Sequence, residues 1–275
     1  MNTICTLRTM VSRNLEFNPD KIALIESDRQ YTFRDFANRT RRMGNALLNL
    51  GLKKGDRVAI LSQNSIENAE SYFSITCAGL VLVMLNFRLA PKEILTIIED
   101  SEASVLMVNE NFLGHIDEIK EDLSYVNDFI FIGDPQKTPK GWYHYEDLIE
   151  RSSANVPDIF VSEDDLAALM YTSGTTGSPK GCMVIHRNFY HAGRSLSYEL
   201  KMDDDDFGII ASPMFHATGE VSLMNHMFSG TSSVIMPQFT PENFFKLVEK
   251  YRVTTGMLAT PMLLFIVDFP DSDKY

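Results

Sequence analysis

Residues 166–185 read LAALMYTSGTTGSPKGCMVI, and this stretch carries the strongest fold signal in the chain. Two apolar runs, Leu166–Tyr171 and Cys182–Ile185, flank a loop of glycines, hydroxyl residues and a single lysine. Short apolar runs that are bounded by turn-forming residues are typical of buried strands. The stretch therefore predicts two strands with a polar, glycine-rich loop between them.

The same alternation of apolar runs and helical spacers extends outward from this stretch in both directions. Runs that are apolar on both faces indicate parallel strands covered by helices. We therefore predict an α/β fold of mainly parallel sheets flanked by helices. The other predicted strands cover residues 21–27, 30–33, 57–62, 80–85, 104–108, 129–132, 207–211, 232–236 and 254–259.

Local signals place several helices between these strands. Thr32 and Asp35 form a capping pair at the start of one helix. Asn64 is predicted to cap a second helix, and Pro91 to open a third at its favoured first position. Residues 134–165 are more polar and contain three prolines, which predicts a looping excursion.

The composition excludes several classes of protein. The 275 residues carry 25 Lys and Arg against 37 Asp and Glu, which gives a net charge of −12. Nucleic acids and anionic membrane surfaces would both repel such a chain, so we expect neither as a partner. No apolar stretch approaches the roughly 20 residues that span a bilayer, so we expect no transmembrane segment. Three cysteines without disulfide or zinc spacing favour a cytoplasmic location.

The loop at residues 171–181, YTSGTTGSPKG, combines the groups that bind phosphate. Glycines let backbone N–H groups converge on an anion, hydroxyls donate to phosphate oxygens, and Lys180 adds a positive charge. A flexible linker would share this composition, but the flanking strands and the stiff Pro179 favour a phosphate site. The P-loop, the dinucleotide-binding glycine pattern, the serine-hydrolase elbow and the zinc-protease motif do not match.

This loop resembles the phosphate-binding signature of the adenylate-forming, or AMP-binding, superfamily, which includes acyl-CoA synthetases, peptide-synthetase adenylation domains and luciferases. Four further segments agree with that family, at residues 31–36, 51–65, 85–89 and 213–219. The resemblance implies the large N-terminal α/β domain of these enzymes, of the acyl-CoA ligase type. Residues 249–262 also resemble the acyl-CoA ligases, and within them the crotonobetaine/carnitine–CoA ligase type is one suggestive match.

The resemblance also implies the reactants, which are ATP, Mg²⁺, coenzyme A and a small-molecule carboxylic acid. It assigns the β- and γ-phosphates of ATP to the loop residues Thr172, Ser173, Gly174, Thr175, Thr176, Gly177 and Lys180. Thr172 is the candidate contact for a Mg²⁺ ion that ATP brings. No residue is assigned as the catalytic group in this part of the family pattern, and Thr172 and Lys180 have supporting roles.

The segment PMFHATG, at residues 213–219, corresponds to the acid-binding element of the family. The resemblance places four residues beside the substrate: Pro213, Phe215, His216 and Gly219. His216 would line the acyl pocket, and the alternative for a single histidine among apolar residues is a hydrogen-bonded core residue. Peptide-synthetase domains carry an aspartate near this element that holds the substrate amine. The first acid here is Glu220, which favours a simple carboxylic acid over an α-amino acid.

Domain organisation follows from the same resemblance. We expect residues 1–275 to form an incomplete AMP-binding N-terminal domain of two α/β subdomains, with a boundary near residues 190–205 and without the C-terminal domain. The expected activity is that of an ATP-dependent, AMP-forming carboxylic acid–CoA ligase, inactive as this fragment alone. The alternatives are a non-catalytic, acid- or partner-binding fragment of a split or truncated enzyme, and a nucleotide hydrolase that needs no acid. Apolar surface left open by truncation would favour dimers or other self-association.

Overall fold

The structure is a computed structural model, and it describes residues 5–172, 179–270 and 272–274. Contacts between residues divide the chain into two units that interleave along the sequence. The first unit comprises Met1–Arg8, Asn38–Ser62 and Glu70–Asn188, and the second comprises Thr9–Ala37, Gln63–Ala69 and Phe189–Tyr275. The subdomain boundary expected near residues 190–205 stays a prediction.

The strands of the described residues form one sheet in each unit. In chain order they are β1 (Ile22–Glu26), β2 (Arg29–Thr32), β3 (Arg57–Leu61), β4 (Val81–Met84), β5 (Val105–Asn109), β6 (Asp128–Ile132), β7 (Tyr143–His144), β8 (Leu166–Thr172), β9 (Lys180–Ile185), β10 (Phe207–Ile210), β11 (Ser232–Ile235) and β12 (Thr255–Gly256). The first sheet has the order β7-β6-β5-β3-β4-β8-β9, and the second has the order β12-β10-β11-β1-β2. Among these strands, β1–β2 and β8–β9 pair antiparallel and the other neighbours pair parallel, so the predicted α/β fold is confirmed.

Helices fill the connections between the strands, as crossovers between parallel strands require. They are α1 (Leu7–Phe17), α2 (Phe33–Asn49), α3 (Ile66–Cys77), α4 (Pro91–Ser101), α5 (Leu113–Asp117), α6 (Tyr145–Arg151), α7 (His186–Glu199), α8 (Ala217–Ser229), α9 (Pro241–Tyr251) and α10 (Thr260–Val267). Within the described ranges, none of these helices has both the length and the apolar character that crossing a membrane demands.

Two predicted helix starts are confirmed. The Asp35 carboxylate accepts the Thr32 backbone N–H at 3.0 Å, and Thr32 Oγ1 accepts the Asp35 backbone N–H at 3.1 Å. Pro91 stands at the start of α4, where the Glu93 carboxylate accepts the Ala90 backbone N–H at 2.8 Å. Both starts therefore satisfy backbone groups that have no partner inside the helix.

Two other local predictions are wrong. Asn64 does not cap α3, because Ser65 Oγ accepts the Asn68 backbone N–H at 3.1 Å and takes that role. Residues 134–165 are not only a loop, since they include β7 and α6. The short α6 buries Tyr145 and Ile149, and its many charged residues hid this apolar face in the sequence. Helix α1 also lies in a segment for which no element is predicted.

Each unit has an apolar core of its own. In the first unit, side chains of β3, β4 and β5 pack with the three buried isoleucines of α4, at positions 94, 97 and 98. That spacing puts the isoleucines on one face of the helix. In the second unit, buried residues of β1, β10 and β11 pack with Met262 of α10. These cores fix the strands whose ends carry the candidate site, because each buried aliphatic side chain contributes roughly 1.5–3 kcal/mol.

Candidate functional site

The two strands that flank the predicted phosphate loop in the sequence form an antiparallel hairpin in the first unit. Strands β8 and β9 pair from Leu166 opposite Ile185 to Thr172 opposite Lys180. Residues 173–179 separate Thr172 from Lys180 in the chain, yet the two are cross-strand partners. The Cβ atoms of such partners lie about 4.5–5.5 Å apart. A hydroxyl and an ammonium group are thereby held side by side.

Thr172 and Lys180 both have exposed side chains. Among the described residues, the Lys180 ammonium group has no hydrogen-bond or ion-pair partner. The other predicted phosphate ligands, Ser173, Gly174, Thr175, Thr176 and Gly177, lie outside the described residues. Within the part of the chain that the structure describes, the hairpin therefore presents an unpaired cation beside a hydroxyl, and this arrangement suits a phosphate group.

Tyr171 ties the hairpin to α4. Its hydroxyl donates to Asp100 Oδ2 at 2.6 Å, and the pKa of Tyr171 is raised by burial and by that carboxylate. Across the hairpin, Gly181 faces the tyrosine ring, and a Cβ added at Gly181 would lie 3.1 Å from Tyr171 Cζ. Glycine at position 181 lets the Tyr171 ring lie against the backbone of β9, next to Lys180. Sequence reasoning did not assign Asp100 to the site, because a single acid on a helix surface carries no distinguishing pattern.

The second candidate region is the turn from β10 into α8 in the second unit. His216 is the N-cap of α8, and its Nδ1 accepts the Thr218 backbone N–H at 3.3 Å. The His216 side chain is exposed, so the core alternative for this histidine is wrong. With Nδ1 as an acceptor, the neutral ring carries its proton on Nε2. That tautomer can donate a hydrogen bond to a carboxylate.

Gly219 and Pro213 make the turn tight. The His216 backbone N–H donates to the Pro213 carbonyl at 3.0 Å. A Cβ added at Gly219 would lie 2.5 Å from the Ser212 oxygen and closer still to the Pro213 oxygen, so only glycine fits. Pro213 and Phe215 are partly buried. The structure thus brings together, in one turn, the four residues that are predicted to lie beside the carboxylic acid substrate. It also gives Gly219 a packing role.

Asn64 fixes the end of β10, which precedes this turn. Sequence reasoning missed this role. The residue is only 2% exposed. Its amide nitrogen donates to the Ser212 carbonyl at 2.9 Å and to the Met236 carbonyl at 3.3 Å. Its amide oxygen accepts the Met214 backbone N–H at 2.8 Å. The amide therefore replaces sheet hydrogen bonds where β10 and β11 end, and no local pattern distinguishes this role from a helix cap.

Glu220 is the acid that follows the turn, and it is buried. The residue is 6% exposed, and its Oε2 atom has no hydrogen-bond partner among the described residues. Burial raises the pKa of Glu220 from 4.5 to about 8. A carboxyl group in this state is neutral at pH 7.

Comparison with known proteins assigns the family. The model of the AMP-binding enzyme family matches residues 11–275. The chain belongs to the AMP-binding enzyme family. The 4-hydroxybutyrate–CoA ligase 2 of Metallosphaera sedula is 29% identical to this chain over 275 residues, covering 97% of this chain and 50% of that protein. The crotonobetaine/carnitine–CoA ligase of Salmonella typhimurium is 31% identical over 253 residues, covering 89% and 49%. The expected similarity to crotonobetaine/carnitine–CoA ligases is confirmed, and the chain spans about half the length of these curated relatives.

Solved structures agree with the family. The inhibitor-bound N-terminal domain of FACL13 from Mycobacterium tuberculosis matches with a TM-score of 0.90 at 26% identity, covering 98% of this chain and 67% of that one. The anthranilate CoA ligase AuaEII in complex with anthranoyl-AMP matches with a TM-score of 0.84 at 27% identity, covering 92% and 49%. The chain therefore has the predicted fold of the N-terminal domain of acyl-CoA synthetases.

Proposed function

We propose that this chain is part of an ATP-dependent, AMP-forming carboxylic acid–CoA ligase. The observation that carries the proposal is Lys180, which is exposed, lies opposite Thr172 at the end of the β8–β9 pairing, and has no partner among the described residues, in a chain of the AMP-binding family. The names of the relatives support acid–CoA ligation as the reaction class.

The reaction proceeds in two displacements. A carboxylate oxygen attacks the α-phosphorus of ATP, the bond to the bridging oxygen breaks, and pyrophosphate leaves with the electron pair. The sulfur of coenzyme A then attacks the carbonyl carbon of the acyl-adenylate, the thiol proton is lost, and AMP leaves. Both steps depend on positioning and on stabilising charge rather than on a covalent intermediate with the protein.

The hairpin residues neutralise charge on the leaving phosphates. Lys180 supplies a positive charge, and Thr172 supplies a hydroxyl that donates to a phosphate oxygen or contacts Mg²⁺. Mg²⁺ accompanies the triphosphate in this proposal. The loop residues 173–177 would add backbone and hydroxyl donors.

The turn before α8 receives the carboxylic acid. His216 Nε2–H is the donor that can hold the substrate carboxylate, because Nδ1 is already occupied as the cap of α8. Pro213 and Phe215 supply apolar contacts, and Gly219 allows the turn to close. The substrate class in this proposal is a small carboxylic acid, in keeping with the small acids named for the two curated relatives.

Two proposals concern the state of the protein in solution. The three cysteines form no disulfide within the described residues, which supports a reducing, cytoplasmic location.

Helix α10 exposes Leu264, Phe265 and Val267, the last by 78%, which supports self-association of two copies through this helix. Sedimentation should show dimers that dissociate in the variant Phe265→Asp.

The test of the proposed function is protection of Lys180 by ATP, together with acid-dependent ATP–pyrophosphate exchange. With saturating Mg·ATP, acylation of Lys180 should slow by about tenfold or more, the effect of a charge-assisted contact. Lys92 is an exposed lysine of α4 in the same unit, and it serves as the internal control that ATP leaves unchanged. Equal acylation of Lys180 with and without ATP would contradict the nucleotide site. Exchange with one class of acid would establish the first displacement and name the substrate class.

A further inference from the structure

Tyr171 contacts both the last turn of α4 and the strand that carries Lys180. Its hydroxyl donates to Asp100 Oδ2 at 2.6 Å, across 71 positions of the chain, and its ring lies against Gly181 of β9. A hydrogen bond from a phenol to a carboxylate is charge-assisted and stronger than one between neutral groups. These two contacts connect the end of the β8–β9 pairing to a helix of the first unit, and the reaction above does not use them.

Strand geometry places the tyrosine on the face of the sheet opposite to the proposed phosphate contacts. Cross-strand partners in an antiparallel pair share a face, and successive residues of a strand alternate between faces. Tyr171 pairs with Gly181, and the next pair is Thr172 with Lys180. The Tyr171 side chain therefore points away from a phosphate that Lys180 contacts. Any effect of the tyrosine on that phosphate has to pass through the backbone of the hairpin.

Helix α4 is anchored in the core, whereas the end of the hairpin is exposed. The buried isoleucines of α4 belong to the apolar core of the first unit, and Tyr171 packs against the same core. Thr172 and Lys180 form the last described pair of the hairpin, and both side chains are exposed. Exposed ends of secondary structure open locally at a low cost in free energy. The Tyr171 contacts thus connect a segment that opens easily to one that does not.

The protonation state of the pair favours a lasting hydrogen bond. Burial and the Asp100 carboxylate raise the pKa of Tyr171 above its ordinary value of 10, so the phenol keeps its proton at neutral pH. Asp100 is exposed, so water can satisfy its carboxylate when the tyrosine hydroxyl is removed. Loss of this bond should therefore change the order of the hairpin end more than the free energy of unfolding.

We propose that Tyr171 and Asp100 are positioning residues for the triphosphate of ATP, because their hydrogen bond holds Thr172 and Lys180 in the arrangement that receives the β- and γ-phosphates. This inference rests on the nucleotide site proposed above for the hairpin. When only a fraction of the molecules has the arrangement that binds a ligand, the apparent affinity falls by that fraction. A hairpin end that opens more often therefore binds ATP more weakly, although neither residue touches the nucleotide.

Tyr171→Phe removes the hydroxyl and keeps the ring. The ATP concentration that halves the acylation of Lys180 measures affinity at the hairpin itself, with Lys92 as the internal control. That concentration should rise about tenfold in the variant, which corresponds to a tenfold smaller fraction of the binding arrangement. Tyr143→Phe is the matched control, since Tyr143 is an exposed tyrosine of β7, at the other edge of the same sheet. It should leave the protection of Lys180 unchanged.

Two substitutions of Asp100 separate the acceptor from the charge. Asp100→Asn keeps an acceptor oxygen for the Tyr171 hydroxyl and removes the charge, whereas Asp100→Ala removes both. The asparagine variant should retain most of the protection by ATP, and the alanine variant should lose as much as Tyr171→Phe. Combining Tyr171→Phe with Asp100→Ala should cost no more than either change alone, because both remove the same bond. Asp100 is exposed, so its variants test the inference even if Tyr171→Phe does not fold.

Amide hydrogen exchange without ATP tests the hairpin directly. In Tyr171→Phe and in Asp100→Ala, exchange should become faster in peptides that cover the end of the β8–β9 pairing. In Asp100→Asn and in Tyr143→Phe it should match the wild type. Urea unfolding should give a similar free energy of unfolding for all of these variants.

The outcomes separate this inference from the proposed function. If ATP protects Lys180 equally in the wild type, in Tyr171→Phe and in Asp100→Ala, the positioning role is overturned and the nucleotide site stands. Faster exchange at the hairpin with unchanged protection shows a purely structural contact and also overturns it. So does weaker protection that follows a general loss of unfolding free energy. If ATP fails to protect Lys180 in the wild type, both proposals fall.

Discussion

The β8–β9 hairpin and the start of α8 differ in how their polar groups meet solvent. Thr172 and Lys180 are exposed at the hairpin, whereas Asn64 and Glu220 are buried beside the turn that leads into α8. Water satisfies an exposed polar group until a ligand replaces it, but a buried one must be satisfied by the protein or by a ligand. Substitutions at the hairpin should therefore change ligand binding and leave stability intact. Substitutions at the start of α8 should instead have their main effect on the free energy of unfolding.

The largest expected effect is that of Asn64→Leu in the buried region. This change removes the partner of two carbonyl groups and one backbone N–H, each of which then stays buried. An unsatisfied buried group costs roughly 1–3 kcal/mol, so we expect a loss of about 3 kcal/mol or more. Urea unfolding measures the loss, and Asn111→Leu at an exposed position is the control. A loss below about 1 kcal/mol would show that water satisfies these groups and would weaken the contrast between the regions.

The second prediction concerns the pH dependence that Glu220 imposes. The pKa of Glu220 is about 8 in the folded chain against an ordinary value of 4.5, so between these values only the unfolded chain has released the proton. The free energy of unfolding therefore falls as pH rises through this window, by up to about 1.4 kcal/mol per pH unit. Glu220→Leu removes this dependence, so its free energy of unfolding should increase relative to that of the wild type as pH rises.

Urea unfolding of both proteins between about pH 5 and about pH 8 measures the difference in the window set by the shifted pKa. Burial lowers the pKa of His226 to about 4, which lowers stability as pH falls below its ordinary value of 6.5. That contribution is common to both proteins and cancels in the difference. A difference that stays constant with pH would show that Glu220 is paired and ionised in the folded chain.

The third prediction concerns Lys180, the exposed lysine of the β8–β9 hairpin. In the proposed nucleotide site the Lys180 ammonium contacts phosphate, so Lys180→Met should weaken ATP binding by roughly 1.5–3 kcal/mol, the range of a hydrogen bond from a charged group. The free energy of unfolding should stay within about 0.5 kcal/mol of the wild type, since the side chain is exposed. Calorimetry with Mg·ATP and urea unfolding give the two values, with Lys92→Met as the control. A stability loss comparable to that of Asn64→Leu would remove the distinction between the regions.

The smallest expected effect comes from a single added methyl group. Gly219→Ala would place Cβ against the carbonyl groups of Ser212 and Pro213, so the turn must shift. Overpacking of this kind costs about 1–3 kcal/mol. Gly114→Ala in α5 is the matched control, because nothing lies within 4 Å of its added Cβ, and it should stabilise the helix slightly. Equal stability of the two variants would mean that the turn accommodates the methyl group without strain.

Much of the fold could be predicted from the sequence, and the successes share a local cause. The capping pair Thr32–Asp35, the first-position Pro91 and the apolar strand runs all depend on residues that are neighbours in the chain. The failures are of another kind. Asn64 has the residue type of a helix cap, yet its partners lie about 150 or more positions further along the chain. Helix α6 was missed because two apolar residues among charged ones give little periodicity.

The sequence alone determined the family and the α/β class, because these depend on composition and on spacing within short segments. The tertiary structure decided which polar groups are buried. It made His216 an exposed helix cap instead of a core residue and placed Asn64 at the ends of β10 and β11. It also buried Glu220 without a partner for Oε2 among the described residues. Burial depends on the packing of segments distant in sequence, and desolvation alone turns an ordinary glutamate into a group that is neutral at pH 7.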